Sequence, residues 1–168
     1  ENLAILNIVI PLAVIVIGNS VQRLRRLQGW RKPQDTDRWF EALTFAGSLA
    51  CLFLSVALVI NVPDQSLPFS FLGIDMLLDA LSAYFIFLVN IIAAFAAWNA
   101  LTAPPAKRSL FFNNSVNLFH FTMLLVPMVD NLVVLWIAVE ATTLVSTLLV
   151  SIQDEKNSWE AAWKYLII

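Results

Sequence analysis

The stretch that decides the fold is DNLVVLWIAVEATTLVSTLLVSI, Asp130 to Ile152. It is longer than the ~20 apolar residues that a helix needs to cross a bilayer core, yet it carries a carboxylate, Glu140, near its middle. An acid at that depth disfavours insertion by roughly 2.5 to 3.5 kcal/mol, and each Leu, Ile or Val offsets about 0.3 to 0.6. The run of such residues from Leu132 to Val150 outweighs the penalty, so the segment inserts with Glu140 in place. Nothing in its own stability requires the acid. At 3.6 residues per turn, Glu140, Thr143, Thr147 and Ser151 share one face, and lipid cannot solvate such a stripe. The pattern therefore predicts that this face meets other helices or internal water. Glu140 is read as a functional intramembrane acid; the alternative is a protonated glutamate that hydrogen-bonds a neighbouring helix as packing glue.

Composition agrees with a membrane chain. Of 168 residues, 60% are hydrophobic and 13% charged, and the mean hydropathy is +0.78, whereas soluble domains carry about 25% charged residues. A soluble core is excluded, and no basic patch points to nucleic acid. The formal charge of -2 means little where charges are sorted by membrane side, so loop cations are the informative quantity. A single cysteine, Cys51, precludes an internal disulfide and a cysteine cluster for metal or iron-sulfur ligation; it reads as a small core residue. The first apolar run has arginines after it and lacks a small-residue cleavage motif, which fits a spanning helix and not a signal peptide. The chain begins without Met and stops inside an apolar run, so the expectation is a fragment.

Working outward, helix one is expected at 2–24, with Pro11 as the place for a kink, followed by the cation-rich loop that holds Arg23, Arg25, Arg26, Arg31, Lys32 and Arg38. Helix two is expected at 39–62, with Gly47 and Ser48 permitting close helix approach, Trp39 as an interfacial anchor and Pro63 as its end. The next connection, PDQSLPFSFLGID, has no Lys or Arg and reads as a short extended loop on the opposite side. Helix three is expected at 75–101, with Asp75 and Asp79 in its first turns as interface caps favoured by the helix dipole. Lys107 and Arg108 mark the return to the cytoplasm. Helix four, 111–129, carries Asn113, Asn114, Asn117 and His120; His120 is a candidate proton relay, against the alternative of a locally hydrogen-bonded histidine. The hinge Asp130-Asn131 makes helices four and five, 131–152, antiparallel neighbours.

After a short charged loop with Lys156, Ser158 to Glu160 resembles a helix start, with Trp159 at the interface. This opens a sixth helix, 158–168, in which Lys164 is either a snorkelling interfacial lysine or a member of a charge relay. All ten Lys and Arg fall in loops one, three and five or at the adjoining helix ends. The fold class is therefore all-α: a single polytopic transmembrane bundle over 1–168, with five complete helices, the start of a sixth, and the N-terminus outside. No glycine-rich phosphate loop, nucleophile elbow or metal-ligand spacing appears, so no catalytic centre, cofactor site or metal site is expected in this chain.

The segment LFHFTMLLVPMVDNLVVLWIAVEATTLVSTLLV, followed by SWEAAWKYLII, resembles the antiporter-like proton-pumping membrane subunits of respiratory complex I and its relatives, and within them component F of hydrogenase-4. DNLVVLW, VEATTL and EAAWKYLII carry the match. LDALS, Leu78 to Ser82, is similar to the family's Asp-Gly-Leu-Ser at the start of helix three, with Ala80 in place of the glycine. The resemblance implies inverted repeats and a fifth-helix glutamate, here Glu140, that faces a lysine on the seventh helix. It places Lys164 at the family's Lys-Tyr position at the start of helix six. It also implies a subunit of a membrane oxidoreductase of NADH:quinone oxidoreductase or hydrogenase type in a bacterial inner or equivalent energy-coupling membrane. Its partners would be the lipid bilayer and other membrane subunits, which supply the redox energy, and its cargo protons or sodium. The competing readings are a sodium/proton antiporter or energy-coupled inorganic-carbon uptake subunit, and a non-conducting membrane scaffold.

Overall fold

In the computed structural model, residues 2–27, 33–61, 66–102 and 110–151 are described, together with Glu160, Ala162, Lys164 and Ile167. The chain order is α1 (Asn2–Leu27), α2 (Pro33–Ile60), the strands β1 (Leu67–Phe71) and β2 (Ile74–Leu78), α3 (Ala80–Thr102), α4 (Leu110–Leu125), a 3₁₀ turn Val126–Met128, and α5 (Leu132–Ser151). Four helices are long and apolar enough to cross a membrane: α1 over Asn2–Arg25, α2 over Arg38–Ile60, α3 over its whole length and α5 over its whole length. With 16 residues, α4 reaches only about 24 Å at 1.5 Å per residue. The 3₁₀ turn around Pro127 stands where the sequence predicts continued helix to residue 129, because proline lacks the N–H that an α-helical turn needs.

The helices pack through small residues. A methyl group added to Gly18 of α1 would overlap the ring of Phe40 of α2, which is fully buried. One added to Gly47 of α2 would stand 2.7 Å from Val14 Cγ2 of α1. Glycine at these two crossings lets the backbones approach as small residues do between membrane helices. At the same end of the pair, the Arg25 guanidinium lies 5.4 Å from the centre of the Trp39 ring, a cation–π contact.

The connection between α2 and α3 corrects the sequence reading. It is a β-hairpin in antiparallel register, Leu67 opposite Leu78 and Phe71 opposite Ile74. The stretch expected as a plain extended loop alternates in period two, with Phe69, Met76 and Leu78 turned inward and Ser70 and Asp75 outward. Leu72 and Gly73 close it with φ of 52° and 79°, the paired left-handed conformation of a type I′ turn, whose twist matches that of the strands. Asp75 therefore lies on β2 and not in the first turn of helix three, which begins at Ala80. The hairpin closes one end of the bundle: Phe69, Met76 and Leu78 pack with Ile8, Leu58, Ile86, Leu124 and Met128. It also reaches the turn before α5, with Met76 bridged to Val129 and the Asp130 N–H donating to the Asp75 carbonyl at 3.3 Å. Met76 could be reached by Val129 only if α3, α4 and the hairpin meet at one level, and the shared core shows that they do.

Lys32, Lys107, Arg108, Lys156, Pro63, Ser158 and Trp159, together with most of the expected sixth helix, lie outside the described residues.

Candidate functional site

On α5, Asn131 starts the helix: its Oδ1 accepts the N–H groups of Val133 at 2.9 Å and Val134 at 3.4 Å, as an N-cap asparagine does. Nine residues on, Glu140 lies exposed. The face of α5 that packs on α4 is marked by the buried Ala138 and Val145, and Glu140 points elsewhere. Among the described residues its carboxylate meets no hydrogen-bond or ion-pair partner.

The stripe behind it is quieter than the sequence implies. Thr143 Oγ1 donates to the Glu140 carbonyl at 2.8 Å, Thr147 Oγ1 to the Thr143 carbonyl at 2.8 Å and Ser151 Oγ to the Leu148 carbonyl at 2.8 Å. These hydroxyls bond back to their own helix and make no chain to the Glu140 carboxylate. Among the described residues Glu140 and Thr143 are exposed, and Thr147 and Ser151 are half-buried.

The other candidates are scattered. Asp79 is the N-cap of α3: its Oδ1 accepts the Ser82 N–H at 2.7 Å. That backbone hydrogen bond, with the Ser82 hydroxyl second, holds the Asp79 carboxyl below its usual range. Asp75 is exposed on β2. Lys164 Nζ donates to Glu160 Oε1 at 2.7 Å, with both side chains about two-thirds exposed, so it is paired on its own helical turn and not with Glu140.

His120 is the buried member, and it belongs to a cluster that sequence reasoning did not assemble. Asn90 Nδ2 on α3 donates to Asn7 Oδ1 of α1 at 3.0 Å and to the Cys51 carbonyl of α2 at 3.3 Å. Asn90 Oδ1 stands 2.9 Å from His120 Nε2 of α4. Because the Asn90 amide nitrogen is committed to two acceptors, its oxygen is the acceptor toward the ring. His120 Nε2 therefore carries a proton and donates it to Asn90 Oδ1. Asn7 donates in turn to the Leu3 carbonyl at 3.0 Å. Four helices are thus joined by one buried polar knot. Further along α4 the polar contacts continue toward the arginine-bearing end of α1. Asn117 Nδ2 reaches Thr44 Oγ1 at 3.0 Å and the Asn113 carbonyl at 2.9 Å, and Asn19 and Asn114 exchange amide bonds at 3.4 and 3.1 Å. The available signal was Asn90 itself, a lone amide in the middle of the otherwise apolar run from Ala83 to Ala97, where a polar group needs a partner on another helix. No group of three or more His, Cys, Asp or Glu side chains suited to a metal ion occurs among the described residues.

No protein-family model matches the chain. It is similar to the hydrogenase-4 component F homolog of Methylacidiphilum infernorum (isolate V4), at 28% identity over 156 residues, which cover 86% of this chain and 29% of that protein. The chain thus spans less than a third of the length of this relative. Four membrane-length apolar helices and this similarity suggest an integral membrane protein, and the similarity gives weak support to a kinship with hydrogenase-4 component F.

Proposed function

We propose that this chain forms part of a proton-translocating, antiporter-like membrane subunit of the complex I or group 4 hydrogenase type, with its N-terminus outside and its loop cations in the cytoplasm of a bacterial or equivalent energy-coupling membrane. Redox energy would be delivered by partner subunits, and this chain would hold no cofactor of its own. The observation that carries the reading is Glu140, an acid in the middle of a membrane-length helix, turned away from α4 and without a partner among the described residues. A carboxylate in that position is expensive in lipid unless a cation or water meets it, and its protonation follows the approach and withdrawal of such a cation. The similarity to a hydrogenase-4 component F homolog supports the same assignment.

Glu140→Gln in the intact membrane complex is the test, because it keeps shape and hydrogen bonding while removing titration. Loss of coupled proton transfer with an assembled complex is expected. Proton transfer at the normal rate would remove Glu140 from the path and favour a non-conducting scaffold, and sodium-dependent transport would favour a sodium/proton antiporter.

A further inference from the structure

The membrane-length part of α1 ends at Arg25 and that of α2 begins at Arg38, so both arginines stand where the apolar part of this helix pair gives out. The segment from Arg23 to Arg38 holds six of the chain's ten Lys and Arg, against two acids, Asp35 and Asp37. The Arg25 guanidinium lies over the Trp39 ring, 5.4 Å from its centre, while Arg23 and Arg38 are exposed. Among the described residues none of these three arginines has a carboxylate partner; Glu41, one turn further along α2, has a partner of its own. A guanidinium carries its N–H donors in one plane. Stacking on a ring occupies the face of that plane and leaves its edges free, and those edges take a phosphate by parallel hydrogen bonds. A tryptophan at such a boundary lies at the depth of lipid headgroups, and a cluster of about four to eight cations next to a membrane helix attracts anionic lipid. Leu24, beside Arg25, and Ile17, two turns back on the same face, are both exposed. They give an acyl chain an apolar track that a soluble phosphate would not use.

We propose that Arg25 and Arg38, with Trp39 backing Arg25, form a headgroup site for an anionic phospholipid at the arginine-bearing end of α1 and α2. The phosphodiester accepts hydrogen bonds from the two guanidinium groups, and an acyl chain runs along Leu24 and Ile17. Arg23 adds attraction that salt screens. The site stands whether or not Glu140 carries protons.

The test is lipid binding to the purified full-length subunit, read by native mass spectrometry as the first lipid retained, with phosphatidylglycerol or phosphatidylcholine of the same acyl chains. Wild type should hold phosphatidylglycerol at least about tenfold more tightly. Arg25→Gln/Arg38→Gln should lose most of that preference, and Arg38→Gln alone serves if the double variant fails to fold. Lys107→Gln/Arg108→Gln, which removes the same charge from another connection, should keep it. No preference in wild type, a preference that survives in the folded arginine variant, or equal losses in the two double variants would overturn the site. So would inorganic phosphate competing at the same concentration as the lipid, because the ligand would then be a soluble anion. None of these measurements reads proton transfer, so an empty headgroup site and a dispensable Glu140 are distinguishable failures.

Discussion

Asn90 Oδ1 and His120 Nε2 stand 2.9 Å apart, and that contact joins α4 to the same amide whose nitrogen holds Asn7 of α1 and the Cys51 carbonyl of α2. Both side chains are buried, Asn90 completely. The contact makes Nε2 the donor and turns the ring toward α3.

Asn90→Leu should therefore cost more than an ordinary interhelical contact. One such bond in a membrane contributes about 0.6 kcal/mol on average and up to about 1.7, and here the amide makes three. A loss of about 1 to 3 kcal/mol is expected in detergent unfolding of the purified protein. A double-mutant cycle with Asn7→Ala should show coupling, and additive effects would mean that the amide does not bridge the helices.

Gly18→Ala gives a sign that separates packing from propensity. Alanine favours a helix by about 1 kcal/mol over glycine, yet here the methyl group meets the buried Phe40 ring. Net destabilisation of about 1 to 3 kcal/mol is expected, most of it recovered by adding Phe40→Leu. Stabilisation by Gly18→Ala in an unfolding titration would contradict the crossing described.

Asp79→Ala removes the α3 cap and should destabilise by about 0.5 to 2 kcal/mol at neutral pH. The sign with pH follows from the lowered carboxyl value. The charged form is favoured in the folded state, so the contribution is present above the ordinary carboxylate pKa of about 3.9 and is lost as pH falls through the lower folded value. The stability difference between wild type and Asp79→Ala should close on acidification, whereas Asp79→Asn should keep much of the capping with no such dependence. Unfolding midpoints at pH 7, 5 and 3 decide this.

Leu72→Asn should stabilise. Leucine at a φ of 52° bears a left-handed cost of about 1 to 2 kcal/mol, whereas Asn-Gly is the preferred pair for a type I′ turn. A gain of about 0.5 to 1 kcal/mol is expected in thermal unfolding, with no change in assembly. A loss would mean that the exposed leucine makes a contact that its conformation serves.

Long apolar runs were legible because periodicity and length leave a membrane helix few alternatives, and α1, α3 and α5 begin or end within a few residues of the expected bounds. The hairpin is not legible in the prolines and missing cations of Pro63 to Asp75, because only the alternation of inward Phe69 with outward Ser70 declares a strand. Asp75 accordingly belongs to β2 and not to the start of helix three, whereas Asp79 caps that helix. Glu140 was found as an unusual acid, but which side of α5 it occupies depends on how α4 packs, and that is set by Ala138 and Val145. The polar knot was invisible as a unit because its members, Asn7, Cys51, Asn90 and His120, are up to 113 positions apart and only tertiary packing brings them together.

The bridge from Met76 to Val129 has a mechanical meaning. The foot of α5 is hooked to the ribbon that leads directly into α3, so the acid-bearing helix and the head of α3 share one anchor. From that anchor the covalent path runs through β2 into α3, whose Asn90 amide holds the His120 imidazole some three turns below.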